Sequence, residues 1–197
     1  QPKLICDFPL IGTEDFPFPV IISSPDFNPT EPRDGVFLVC KNMSNIDNIV
    51  GVNRDIISRA CTLYGNLLKY ISGKRWGGIY NVTKISSYHN KGWYDKDFID
   101  DTVEECKKVI ERTPIVCTEV GTMNALKNNE GESQIYIVSD EHIKVREQLW
   151  DLLSFLPDRI SRKDDLHEWY GSLWPNYSRF KFVHLLDWIS GFENIDT

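Results

Sequence analysis

Short apolar runs separated by prolines open the chain. Leu4 to Pro9, Phe18 to Ser23 and Gly35 to Cys40 are each rich in Ile, Val, Leu or Phe and bounded by Gly, Pro, Asp or Asn, a pattern that predicts three strands. Pro17 and Pro19 lie two apart, so both would remove ladder donors from the same side of a strand. That segment is predicted to be an edge or an entry to a strand. The stretch PDFNPTEP, from Pro25 to Pro32, is loop by composition and delivers Arg33 directly before the apolar run GVFLVC.

The period then changes. From Asn45 to about Ile71 the apolar residues Ile49, Ile56, Ala60, Leu63, Leu67 and Ile71, seconded by Ile57, Tyr64 and Leu68, recur at three- and four-residue steps, which predicts an amphipathic helix with Ser44 as its cap and Gly73 as its stop. A strand is predicted near Ile79 to Ile85. A second helix follows from Lys96 to Arg112, with Ile99, Val103, Cys106 and Ile110 on one face and acidic and basic doublets on the other, ended by Thr113 and Pro114. Ile115 to Glu119 and Gln134 to Val138 read as a strand pair separated by the polar loop MNALKNNEGES. An Asp140-capped helix then runs to a stop at Pro157, and the last forty residues read as helical and aromatic. The order predicts an α/β or α+β domain, a mixed sheet covered by helices, with residues 1–138 as the mixed part and residues 139–197 as a helical C-terminal part.

Composition narrows the function classes. A chain of 197 residues with 41% hydrophobic and 12% aromatic content can bury a sizeable core. Its net charge of −7 argues against binding to nucleic acid, because neutralising phosphates needs a dense field of Lys and Arg. Five scattered cysteines without a CxxC fit a reducing cytoplasm better than a disulfide framework or a zinc site. No apolar run approaches the roughly 20 residues that cross a bilayer. Beginning at Gln1 without an initiator Met, and with Leu4 and Ile5 already strand-like, the chain reads as a domain excised from a larger protein.

Few residues announce chemistry. There is no GxxxxGK[ST] loop and no GxGxxG after a strand. Gly77-Gly78 beside Lys74 and Arg75 reads as a turn with solvated charges. His89, His142, His167 and His184 form no metal pattern, and HEWYG at His167 lacks the second His of a zinc site. The carboxylate pairs Asp100-Asp101, Glu104-Glu105 and Asp164-Asp165 read as structural acids near the positive ends of helices. Cys6, Cys40, Cys106 and Cys117 lie in apolar surroundings where thiols are inert. Two features remain. Arg33 is restrained between a proline-rich loop and a strand, a place from which a guanidinium can clamp a carboxylate or complete a phosphate site in trans, or else form an ordinary surface ion pair. The C-terminal segment LWPNYSRFKFVHLLDWISGF carries more apolar residues than one buried face requires, so it is either deep core or a docking surface.

These residues also carry a family pattern. An apolar strand ending in DFPLIG, then EDFPFPVII, PDFNP and Arg33 before another strand, resembles the segment that follows the ATP-binding domain in sacsin-like proteins. Those belong to the GHKL ATPases, relatives of the ninety-kilodalton heat-shock chaperones. VNRDIISRACTLYGNLLKYI is similar to the family's Asn-led helix, and TPIVCTEVGTMNAL with SQIYIVSDEHI to its later strand pair. The resemblance implies a Bergerat-type nucleotide domain preceding Gln1 and a middle, coupling role for this chain. It implies no cofactor within the chain itself, ATP and magnesium in the full-length protein, and Arg33 as the residue sent to the ATP γ-phosphate. Its partners would be its own upstream ATP-binding domain, with a client protein or self-association beyond that. Asp34 departs from the pattern, since the family often shows a second basic residue there. The alternative is a protein-interaction module that uses the aromatic C-terminal surface and has no nucleotide role. A free-standing hydrolase would need a nucleophile and base that the sequence does not display.

Overall fold

The computed structural model describes residues 1–39 and 46–190. At the N-terminus, β1 (Leu4–Cys6) is the centre of a three-stranded mixed sheet. It pairs antiparallel with β2 (Phe8–Pro9), Cys6 opposite Phe8, and parallel with β3 (Ile22–Ser23), Leu4 opposite Ile22. The first predicted strand is thus two strands, because Asp7 takes a left-handed conformation (φ 56°) that folds the chain back between Cys6 and Phe8. The second shrinks to β3, with the buried Pro17 and Pro19 in the approach to it, as an entry segment requires. The third does not form. Over residues 35–39 the ladder is a single bridge from Val36 to Pro29, although Val36 and Leu38 are fully buried, and Cys40 lies outside the described residues.

Helix α1 (Ile46–Gly73) forms as predicted, but its inner face is that of Val50, Ile57, Tyr64, Leu68 and Ile71. Of the leading predicted positions, Leu63 and Leu67 are exposed and Ile49, Ile56 and Ala60 only partly buried, and the predicted cap, Ser44, lies outside the described residues. Helix α2 (Lys96–Arg112) starts where Asp95 accepts a hydrogen bond from the Phe98 N–H (3.0 Å) and ends at Thr113. It buries Ile99, Thr102, Cys106 and Ile110. The two helices run parallel: Arg54 meets Asp95 at their N-terminal ends, Gly65 faces Val109 midway, and Ser72 donates to the Pro114 carbonyl at their C-terminal ends. The crossover of residues 74–95 that connects them contains a 3-10 helix, Ile79–Val82, in place of the predicted strand. Gly78, left-handed at φ 73°, turns the chain into it, and the buried Tyr64 hydroxyl donates to the Val82 carbonyl at its end (2.7 Å).

Beyond α2, β4 (Val116–Cys117) pairs antiparallel with β5 (Met123–Asn124), which falls in the segment predicted as loop. The predicted strand over residues 134–138 makes only isolated bridges, Tyr136 to Ile160 and Val138 to Phe180. Helix α3 (Ile143–Leu153) begins at His142. Asp140 accepts from the His142 N–H (2.8 Å) in the turn before it, so the predicted cap lies two residues early, and the helix stops four residues short of Pro157. A 3-10 turn (Lys163–Asp165) leads into α4 (Leu166–Ser172), and α5 (Phe182–Ser190) closes the described chain.

The class is mixed α/β, with five α-helices and small sheets among the described residues. The main core lies among the N-terminal sheet, α1, α2 and the 115–137 segment, and it takes in Trp169, Leu173, Trp174 and Tyr177 from in and around α4. A smaller core gathers Val138, Leu149, Trp150, Leu153, Ile160, Leu166 and Leu185. Helix α4 therefore serves both. No helix among the described residues is long and apolar enough to cross a membrane.

Candidate functional site

The segment around Arg33 is built as a rigid turn. Thr30 N–H donates to the Gly35 carbonyl (3.0 Å) and Arg33 N–H to the Thr30 carbonyl (2.8 Å). The Thr30 hydroxyl donates to the Asp34 carboxylate (2.6 Å), so the acid beside Arg33 closes the turn. Arg33 itself is left-handed (φ 54°), uncommon for a side chain of this size and sustained by the bonds around it. Its side chain is exposed, and Nη2 donates to the Cys6 carbonyl (2.8 Å), next to the equally left-handed Asp7. Among the described residues this is the one hydrogen bond of the Arg33 guanidinium, which has five N–H donors.

This turn is tied to the long helix. Asn53 of α1, fully buried, donates from Nδ2 to the carbonyls of Asn28 (3.0 Å) and Phe37 (2.9 Å), and its Oδ1 accepts from the Asn28 N–H (2.8 Å). Arg54, the next residue, donates from Nε and Nη2 to the Leu38 carbonyl (3.1 and 2.6 Å) and pairs with Asp95 at the start of α2 (2.5 Å). The Phe98 N–H, followed by the Arg54 guanidinium, holds the Asp95 carboxyl below the usual aspartate range. On the other side of the turn the Trp93 ring lies flat against Gly35, where a Cβ would come within 2.0 Å of the indole. The residues that frame Arg33 therefore come from the sheet, α1, the crossover and α2.

A hollow of about 320 Å³ opens beside the turn, lined by Glu31, Asp34, Phe37 and Trp93 among others. Among the described residues its charged groups are acids, and Arg33 is not part of its wall. Any phosphate that meets Arg33 meets it on the outer surface.

The remaining candidates are structural. Asp100 pairs with Lys96, Glu104 with Lys107 (2.6 Å) in the middle of α2 rather than near its positive end, and Asp164 with Arg162 (3.6 Å). His167 lies by Glu147 and accepts from Arg146, while His184 accepts from the Lys181 N–H within its own turn. No three His, Cys, Asp or Glu side chains among the described residues gather as a metal would require. Gly77 and Gly78 are in a turn, as expected.

The aromatic C-terminal segment divides. Trp169, Trp174 and Tyr177 are core, whereas α5 turns only Leu185 inward and leaves Phe182, Val183, Leu186 and Ile189 half exposed or more. Trp188 stacks on Phe155. Helix α1 shows a similar outer stripe at Leu63, Leu67 and Tyr70. Sequence reasoning missed Asn53 and Arg54 as the anchors of the turn. The available signal was Asn53 itself, a polar residue in the apolar register between Ile49 and Ile56. No protein-family model, curated protein or solved structure matches the chain.

Proposed function

We propose that this domain is the middle, coupling part of a chaperone-like GHKL ATPase. It relays the nucleotide state of an upstream ATP-binding domain, with ATP and magnesium bound there and none in this chain. The sequence resemblance motivates the reading, and one observation carries it: an exposed arginine, in a strained turn, whose backbone frame is bolted to a 28-residue helix by Asn53 and Arg54. In the domain alone the Arg33 guanidinium rests on a neutral carbonyl. A γ-phosphate offers it charge-assisted, two-pronged bonds instead. The exchange would release the Cys6 carbonyl and draw the turn toward the nucleotide, and α1 is fastened to that turn. The four described cysteines carry free thiols, which suits a cytoplasmic setting.

The test is Arg33→Ala in the full-length protein. ATP turnover is expected to fall by roughly tenfold or more, while ATP binding weakens much less. Unchanged turnover would remove Arg33 from the mechanism.

The exposed side of α5 favours a second reading, a protein-interaction module with no nucleotide role. On that reading Leu186→Ser with Ile189→Ser abolishes nonpolar-dye binding and concentration-dependent self-association, and Arg33→Ala changes neither.

A further inference from the structure

Two thiols on different helices meet midway along the α1–α2 contact. Cys106 is fully buried on the inner face of α2. Cys61, on α1, is partly exposed and lines a groove of about 470 Å³ together with Thr102, Glu105 and Val109, the α2 residues that surround Cys106 on its helix. The level fits the parallel register, since Gly65, one turn after Cys61, faces Val109, almost one turn after Cys106. Both are free thiols, set at the same level of two facing helices.

The two positions are chemically unequal. The Cys106 thiol beside it holds Cys61 below the ordinary thiol value, against the opposing effects of partial burial and the Glu105 carboxylate. The Cys61 thiol and burial push Cys106 well above it. Cys61 is thus the more readily ionised of the two and the one that solvent reaches, and the groove is of the size that admits a small molecule.

We propose that Cys61 and Cys106 form a dithiol site that a small-molecule disulfide converts to a bridge between α1 and α2. The Cys61 thiolate attacks one sulfur of the disulfide, forms a mixed disulfide and expels one thiolate. Cys106 gives its proton to that thiolate and attacks the Cys61 sulfur. The second thiolate leaves and takes up the proton Cys61 had lost. Two protein thiols have then given up two electrons and two protons, and the small disulfide has become two thiols. The product fixes the two parallel helices to each other at mid-length, and a small dithiol reverses it. The site does not depend on the coupling reading.

The experiment is to expose the protein to glutathione disulfide, alkylate the remaining thiols and map the peptides without reductant. The expected result is one pair of peptides joined through Cys61 and Cys106, with titratable thiols falling from the chain's five to three. In Cys106→Ser a glutathione adduct is expected to accumulate on Cys61, because the resolving thiol is gone. If that variant does not fold, the wild-type map decides alone. A glutathione adduct that persists on wild-type Cys61, a bridge from either cysteine to another partner, or five thiols still titratable overturns the proposal.

Discussion

Asp95 serves three segments with one carboxylate. One oxygen caps α2 through the Phe98 N–H, the other pairs with Arg54, and Arg54 in turn holds the Leu38 carbonyl of the turn that carries Arg33. Asp95→Ala is expected to lose about 1–2 kcal/mol at neutral pH, from the cap together with a half-exposed ion pair. Because the folded-state pKa is depressed, the contribution of the charge is complete above the unfolded aspartate value near ~3.9 and is lost as pH falls through the folded value. Asp95→Asn keeps a capping oxygen and removes the charge. Urea midpoints of wild type and Asp95→Asn should therefore stand furthest apart at neutral pH and converge under acid conditions; a gap that is constant with pH contradicts the assignment. Gly35 gives a second test at the residue scale. The Trp93 indole occupies the place of its side chain, so Gly35→Ala must displace a ring or the turn, at about 1–3 kcal/mol in urea unfolding. The restrained turn around Arg33 was legible in the sequence, because prolines and an apolar run bracket it. Its supports were not, since Asn53 and Arg54 read as polar interruptions of a helix whose partners lie 16 and 25 residues away.

Among the elements, helices were more legible than strands: β1 to β4 fall inside predicted strand segments but are only two or three residues long. Both long helices declare a 3.6-residue period, and α2 begins and ends where an Asp before it and a Thr-Pro after it place its limits. The apolar runs taken for strands report burial instead. Val36, Leu38, Ile135, Ile137 and Val138 are all in the cores, yet among the described residues only Val36 and Val138 of these make even an isolated bridge. β-propensity measures how well a side chain suits a half-buried surface, and a loop pressed against a core satisfies the same preference. Conversely, β5 contains Met123 and Asn124, neither of which advertises a strand. Within α1, Gly51 has none of the described residues within 4 Å of where a Cβ would sit. Gly51→Ala should therefore raise stability by about 1 kcal/mol from backbone entropy alone, read as a higher urea midpoint with an unchanged slope.

Over the whole molecule, α4 makes one unit of two cores. Leu166 belongs to the smaller core, while Trp169, one turn on, is buried in the main one and meets Tyr80 edge to face at 6.0 Å. Heat should therefore unfold the chain in a single transition, and Trp169→Ala should lower stability by about 3–5 kcal/mol. Two resolved calorimetric peaks for the wild type would show that the cores melt apart. The parallel direction of α1 and α2 bears on how the chain reaches this state. Their bonded partners are 41 and 42 residues apart in sequence, because the chain must travel back along the pair before α2 can start. Such helices cannot zip together from a short connecting turn, and the entropy of closing a long loop is lost before any mutual burial is gained. A newly made α1 can meet the N-terminal segment at once, Phe18 against Tyr64, but the part of its inner face that α2 covers stays open until the crossover and α2 arrive. During synthesis that interval makes the first half of the chain, rather than its exposed C-terminal helix, the part most in need of protection from aggregation.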